Sequence, residues 1–163
     1  MPNILPVTVL AILATVSFYD LKDRRIPNLC LLALLVLFPV FIWQTANWEN
    51  IGLHLLWGGG AFAALFPFFV LGGMGGGDVK LIAVLALWAG PKAGADFLLI
   101  TALLGGGLSL IVLMPGVQNL VERVLAQGGM IHLMRCYPTP RSIPYGVPVA
   151  MGGGLALYQA WWQ

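Results

Sequence analysis

The chain has 163 residues, 60% hydrophobic and only 9% charged, with eight Lys or Arg against six Asp or Glu. A soluble domain carries about 25% charged residues, so this composition excludes a soluble enzyme and a disordered chain, and a net charge of +2 is too small to argue for nucleic acid. The expectation is an all-α polytopic membrane protein, a single domain over residues 1–163, with the lipid bilayer as a partner and no nucleic-acid partner.

Six apolar segments are predicted as spans, roughly Ile4–Tyr19, Leu29–Trp43, Leu53–Leu71, Val79–Ala89, Ala95–Met114 and Val147–Trp162. The first lacks a basic stretch before it and a small-residue cleavage site after it. It runs instead into the charged Asp20-Leu-Lys-Asp-Arg-Arg, so it reads as a retained span rather than a signal peptide. A span needs about 20 helical residues, and five segments come close. The fourth is short. Asp78 to Gly90 is 13 residues, about 20 Å of helix, so its Asp78 end is expected below the membrane surface or in thinned bilayer.

The connection after the fifth segment is long. Within it Val117, Leu120, Val121, Val124 and Leu125 repeat at helical spacing, with Gln118, Asn119, Glu122, Arg123 and Gln127 on the other face. This pattern predicts an amphipathic helix in the cytoplasmic interface. The odd-numbered connections hold Lys22, Arg24, Arg25, Lys80, Arg123, Arg135 and Arg141, and the even ones hold only Lys92. By the positive-inside rule the odd connections are cytoplasmic and both termini lie outside.

Gly-Gly-Gly occurs at 58–60, 75–77, 105–107 and 152–154. Three triplets lie in spans, where small residues let helices approach closely. The triplet at 75–77 differs because Asp78 follows it. It lacks the Lys-Ser/Thr of a phosphate-binding loop.

Few residues have the chemistry for catalysis. Cys30 and Cys136 form no CxxC pair and no zinc-ligand spacing, so they read as structural thiols with no metal site. No Ser lies beside a His in a nucleophile-like context, which leaves a serine mechanism unsupported. Glu49, Asp96 and Glu122 read as solvation of loops or of a polar face, and His54 is placed on the outer side. Asp20, Asp23 and Asp78 remain at the cytoplasmic ends of spans. Ionisable groups near the membrane are costly and point to function. Two carboxylates held together share a proton, so that one activates water while the other polarises a carbonyl. The glycines before Asp78 would tolerate close approach of a peptide.

Gly75-Gly76-Gly77-Asp78 reads as Gly-x-Gly-Asp and is followed by Lys80. Asp20 precedes Ile26-Pro27-Asn28, and Arg141-Ser-Ile-Pro-Tyr-Gly-Val-Pro148 closes the series. Together these motifs resemble the type IV prepilin peptidase family of Gly-x-Gly-Asp intramembrane aspartic proteases, and the length is similar to that of its short Flp/Tad-type members. The resemblance implies that Asp20 and Asp78 are the catalytic pair and that Asp23 is not. Gly75, Gly76, Gly77, Lys80, Pro27, Asn28, Pro144, Tyr145 and Gly146 are then expected to shape the site or bind substrate. It further implies prepilins and pseudopilins as substrates, cleaved at the cytoplasmic face of the bacterial inner membrane, with no cofactor. The bifunctional members' extra amino-terminal region with paired CxxC motifs has no counterpart here, so no methyltransferase activity is expected. The competing class is a small transporter or channel component with Asp20 and Asp78 as a proton or cation relay.

Overall fold

The computed structural model describes residues 4–114 and 145–162. Five α-helices follow one another: α1 (Ile4–Asp23), α2 (Asn28–Thr45), α3 (Ile51–Val70), α4 (Gly76–Leu113) and α5 (Gly146–Trp162), with a 3₁₀ turn at Trp48–Asn50 before α3. The segments Ile4–Asp23, Asn28–Thr45, Trp48–Val70 and Gly76–Ile111 are each long and apolar enough to cross a membrane. The chain divides into two units, residues 1–102 with 144–163 and residues 103–143. The described part of the second is the end of α4, where the Ser109 hydroxyl donates to the Gly105 carbonyl at 2.7 Å. The amphipathic pattern at 117–127, Cys136 and Pro144 lie outside the described residues.

Apolar side chains occupy both the interior and the outer faces of the first unit. In α1 the buried residues are Leu5, Val9, Leu13, Val16 and Asp20, a single stripe at helical spacing. Asp20 is the last member of that apolar stripe, so the helix itself carries a carboxylate inward. The opposite face exposes Val7, Leu10 and Phe18. Leu29, Trp43, Leu56 and Leu103 are likewise exposed on α2, α3 and α4. Apolar surface of this extent requires a non-aqueous cover, which agrees with the apolar, span-length helices.

The carboxyl ends of α1 and α2 are set by backbone geometry. At the end of α1, Arg24 takes a left-handed conformation (φ 51°), and its N–H donates to the Asp20 carbonyl at 3.1 Å. At the end of α2, Ala46 (φ 50°) makes the same kind of turn. There the N–H groups of Ala46 and Asn47 donate to Trp43 and Ile42, a Schellman pair.

The fourth and fifth expected segments are joined in α4, with a break at Gly90 (φ 58°, ψ −158°) followed by Pro91. The break has a clear chemical cause. In a continuous helix the Leu87 carbonyl would accept from the N–H of residue 91, and Pro91 has none. The missing donor is the Nδ1–H of His54 on α3, 2.7 Å from the Leu87 oxygen. The other ring nitrogen, Nε2, accepts from the Asn47 amide at 3.2 Å, and the Asn47 oxygen accepts from the Asn50 amide at 2.7 Å. His54, expected only to lie on the outer side, is 2% exposed and completes a neighbouring helix. Phe38, Phe41 and Trp88 pack around this point, and the Trp88 indole N–H donates to the Leu34 carbonyl at 3.1 Å.

The glycine triplets do not all serve helix packing. A Cβ at Gly58 would lie 2.8 Å from the Leu87 Cβ, and one at Gly153 would lie 2.7 Å from Leu85 Cδ1. Gly152 sits directly on Thr101. Gly59, Gly60, Gly106 and Gly107 instead meet nothing within 4 Å of a notional Cβ among the described residues.

Candidate active site

The three sequence motifs meet at one end of the first unit. Helix α1 ends there, while α2, α4 and α5 begin there. Asp20 is 6% exposed, and its Oδ2 accepts the backbone N–H of Gly146 at 2.8 Å. Gly146 opens α5, so its N–H belongs to the set that a helix leaves without an internal partner. A carboxylate suits that position both as a hydrogen-bond acceptor and as a negative charge at the positive end of the helix. Arg24 supplies a second attraction, its guanidinium lying within electrostatic reach of Asp20.

Asp78 is placed by a local device. It is the third residue of α4, and Gly75 precedes the first. The Gly75 N–H donates back to the Asp78 carboxylate, and the Val79 N–H donates to the Gly75 carbonyl at 3.2 Å. The first bond is the return half of a capping box, in which the third helical side chain satisfies the N–H of the residue before the helix. The fit is tight, since a Cβ at Gly75 would lie 2.8 Å from Asp78 Oδ2. Asp78 is half-buried and lies close enough to Asp20 for the two carboxylates to repel. The first and second motifs also touch through Ile26, whose Cβ is 3.2 Å from the position a Cβ would take at Gly77.

The other expected residues divide into distinct places. Gly76 packs on the Phe69 ring, with 2.9 Å between a notional Cβ and Phe69 Cε2. Asn28 and Lys80 line a lateral groove, and Pro27 lines a recess with Tyr19, Asp23 and Arg25. Asp23 is exposed. Tyr145 precedes α5, and its carbonyl accepts the Val149 N–H at 3.2 Å. Among the described residues no group of three or more His, Cys, Asp or Glu side chains could hold a metal ion. Cys30 is a free, half-buried thiol on α2.

Two details were not anticipated from the sequence. One is the Gly146 N–H as the partner of Asp20, 126 residues away. The other is the left-handed Arg24. The Asp78 anchor had a visible signal, because Gly75 and Asp78 stand at the spacing of the residue before a helix and its third member.

The model of the type IV leader peptidase family matches residues 7–110, a stretch that includes both Asp20 and Asp78. The chain belongs to the type IV leader peptidase family. The family makes it a peptidase, and its apolar helices make it a membrane protein. The match ends before Gly146, so the contact between Asp20 and α5 comes from the coordinates alone. No curated protein and no solved structure matches the chain.

Proposed function

We propose that this leader peptidase is an aspartic endopeptidase that removes the leader of type IV, Flp-type prepilins and pseudopilins, with Asp20 and Asp78 as the catalytic pair. The observation that carries the reading is the convergence of two carboxylates from separate motifs. Each is held by a backbone N–H, from Gly146 on Asp20 and from Gly75 on Asp78, and the pair lies within mutual electrostatic range.

The chemistry follows from that pair. Two carboxylates that repel each other favour a state in which one is protonated and the other ionised. The ionised member takes a proton from a water as it attacks the scissile carbonyl. The protonated member donates to the carbonyl oxygen as the tetrahedral gem-diol forms; as the C–N bond breaks, the first member passes the proton it took from water to the leaving nitrogen and a gem-diol hydroxyl returns its proton to the second. No metal or organic cofactor enters these steps. The glycines at 75–77 let Asp78, Phe69 and Ile26 pack at close range, which shapes the wall beside Asp78.

In the bilayer, α4 counts as two spans separated at Gly90, giving six in one membrane domain, with the amphipathic segment 117–127 at the cytoplasmic interface. Both termini lie outside and the aspartates face the cytoplasm, as the Lys and Arg distribution favours. The membrane is the bacterial inner membrane, and the enzyme cleaves without methylating the new amino terminus. Co-expression with a candidate prepilin tests the proposal. A downward shift of the pilin band on a gel that depends on Asp20 and Asp78 is the expected result. An unshifted band with the enzyme inserted and folded would reject it and return attention to a proton or cation relay.

A further inference from the structure

The substrate proposed above is anchored by a hydrophobic helix, and that helix needs a place against the protein. Two lateral grooves reach toward the candidate site. One lies between α2, α3 and the start of α4, with a volume of about 760 Å³ and walls that include Leu32, Leu35, Leu55 and Phe62. The other lies between α1 and α5, with a volume of about 400 Å³ and walls that include Leu10 and Leu155.

The geometry points to the larger groove as the docking site of the substrate's transmembrane helix. This inference rests on the proposed peptidase function and adds where the substrate binds. Three observations favour the groove. First, it is continuous with the candidate site: its polar end is formed by Asn28 and Lys80. Lys80 lies two residues after Asp78 on α4, and Asn28 lies two residues after Ile26, which touches Gly77. A helix in this groove therefore ends beside the start of α4, next to the Gly75–Gly77 backbone that leads to Asp78, whose own side chain lies on the other face of α4 from Lys80. Second, Lys80 is exposed and has no ion-pair or hydrogen-bond partner among the described residues. A Lys whose stem lies on an apolar wall while its ammonium stays in water marks the membrane interface. The groove thus runs from the interface into the hydrocarbon, the path of a spanning helix. Third, Gly59 lines the groove with nothing among the described residues within 4 Å of a notional Cβ. Bare backbone on a lipid-level wall allows close approach of another helix. An acyl chain has no need of it. Gly58, one residue earlier, is already used against Leu87, so the open position is not leftover helix packing within the fold.

The test uses the full-length enzyme in membranes with a co-expressed prepilin. A photo-crosslinking amino acid is placed at Leu32 or Leu55 in one set and at Leu10 or Leu155 in the other, each in an Asp78→Asn background that holds substrate uncleaved. Crosslinks to the prepilin helix from Leu32 and Leu55 support the inference. Crosslinks from Leu10 and Leu155 alone overturn it, as do crosslinks from Leu32 and Leu55 only to lipid or to the enzyme's own residues 117–127. A second variant, Gly59→Leu, fills the groove without touching the aspartates. It should raise KM for the membrane-anchored prepilin by roughly tenfold or more, the scale for a pocket whose apolar fit is spoiled. Cleavage of a soluble peptide that spans the junction but lacks the helix should be unchanged. Equal KM values for the anchored substrate in wild type and Gly59→Leu would overturn the groove assignment while cleavage itself stands. A wild-type enzyme that cleaves neither substrate would instead reject the proposed function, and the docking inference with it.

Discussion

Gly146→Ala is the substitution with the sharpest expected effect. A Cβ at this position would lie 2.8 Å from Asp20 Oδ2, 2.9 Å from Cγ and 3.0 Å from Cβ. Real side chains do not pack that closely, and the obstacle is a buried carboxylate rather than a flexible chain end. Either the start of α5 retreats or Asp20 rotates, and both break the 2.8 Å bond from the Gly146 N–H. A hydrogen bond to a charged group contributes about 1.5–3 kcal/mol. A displacement of about 1 Å in a reacting group lowers the rate by roughly 100-fold. The expected outcome is a kcat about 100-fold lower on a prepilin in detergent or membranes, with KM little changed. Thermal stability should fall by about 1–3 kcal/mol, since the buried carboxylate loses a donor. Gly106→Ala is the control. A Cβ there meets nothing within 4 Å among the described residues, and within α4 Ala is favoured over Gly by about 0.5–1 kcal/mol, so this variant should cleave normally. Wild-type turnover in Gly146→Ala would refute the claim that α5 holds Asp20 for catalysis.

Other outcomes test the pair, the break and the topology. Asp20→Asn and Asp78→Asn should each abolish cleavage in a gel-shift assay while the protein stays inserted, and exposed Asp23→Asn should cleave. A dead Asp23→Asn beside an active Asp20→Asn would show that the first aspartate is misassigned. Gly90→Ala should destabilise the fold by about 2–6 kcal/mol, combining a backbone conformation nearly restricted to Gly with displacement of the bonded His54 ring; a thermal melt in detergent measures it. A Cys introduced at Asn47 should react with a membrane-impermeant maleimide from outside, whereas Cys30 and Cys136 should not. Strong outside labelling of Cys136 would overturn the orientation.

Much of this arrangement was legible in the sequence because a membrane protein uses its few charges sparingly. Composition narrowed six acids to Asp20, Asp23 and Asp78, and the family resemblance singled out Asp20 and Asp78; the inward stripe of Leu5, Val9, Leu13 and Val16 that carries Asp20 is seen in the structure. The helical class followed from composition and span length. What the sequence concealed was tertiary. Nothing near Asp20 in the chain indicates that Gly146 will donate to it, since backbone N–H groups leave no signature beyond the residue's small size. His54 resembled a polar residue at a span end, because its partner is a carbonyl made needy by a proline 37 positions later. Lys80 and Asn28 lie within the sequence motifs, yet their side chains line the lateral groove. Adjacency along the chain did not distinguish a carboxylate's partner from a groove wall.

The break at Gly90 connects those hidden contacts to the position of Asp78. Residues 76–89 form about 20 Å of helix, less than the roughly 30 Å of a hydrocarbon core. A helix that stops at membrane depth leaves a carbonyl unsatisfied, and lipid cannot supply a donor. Such a break is stable only where protein surrounds it. Here every residue from Val84 to Gly90 is buried, and the orphaned Leu87 carbonyl is met by His54. The Asn47 and Asn50 amides extend that hydrogen-bond chain from the other side of the ring, so His54 is held between the break and the turn before α3. With the break secured, the first part of α4 can be short, and on the proposed topology a short helix anchored at Gly90 sets Asp78 inward from where a full-length span would end. A carboxylate at that depth can be approached by a peptide bond at the end of a membrane helix. His54 and Gly90, remote from the carboxylates, thereby fix where the first part of α4 ends, and loss of either should move Asp78 relative to Asp20.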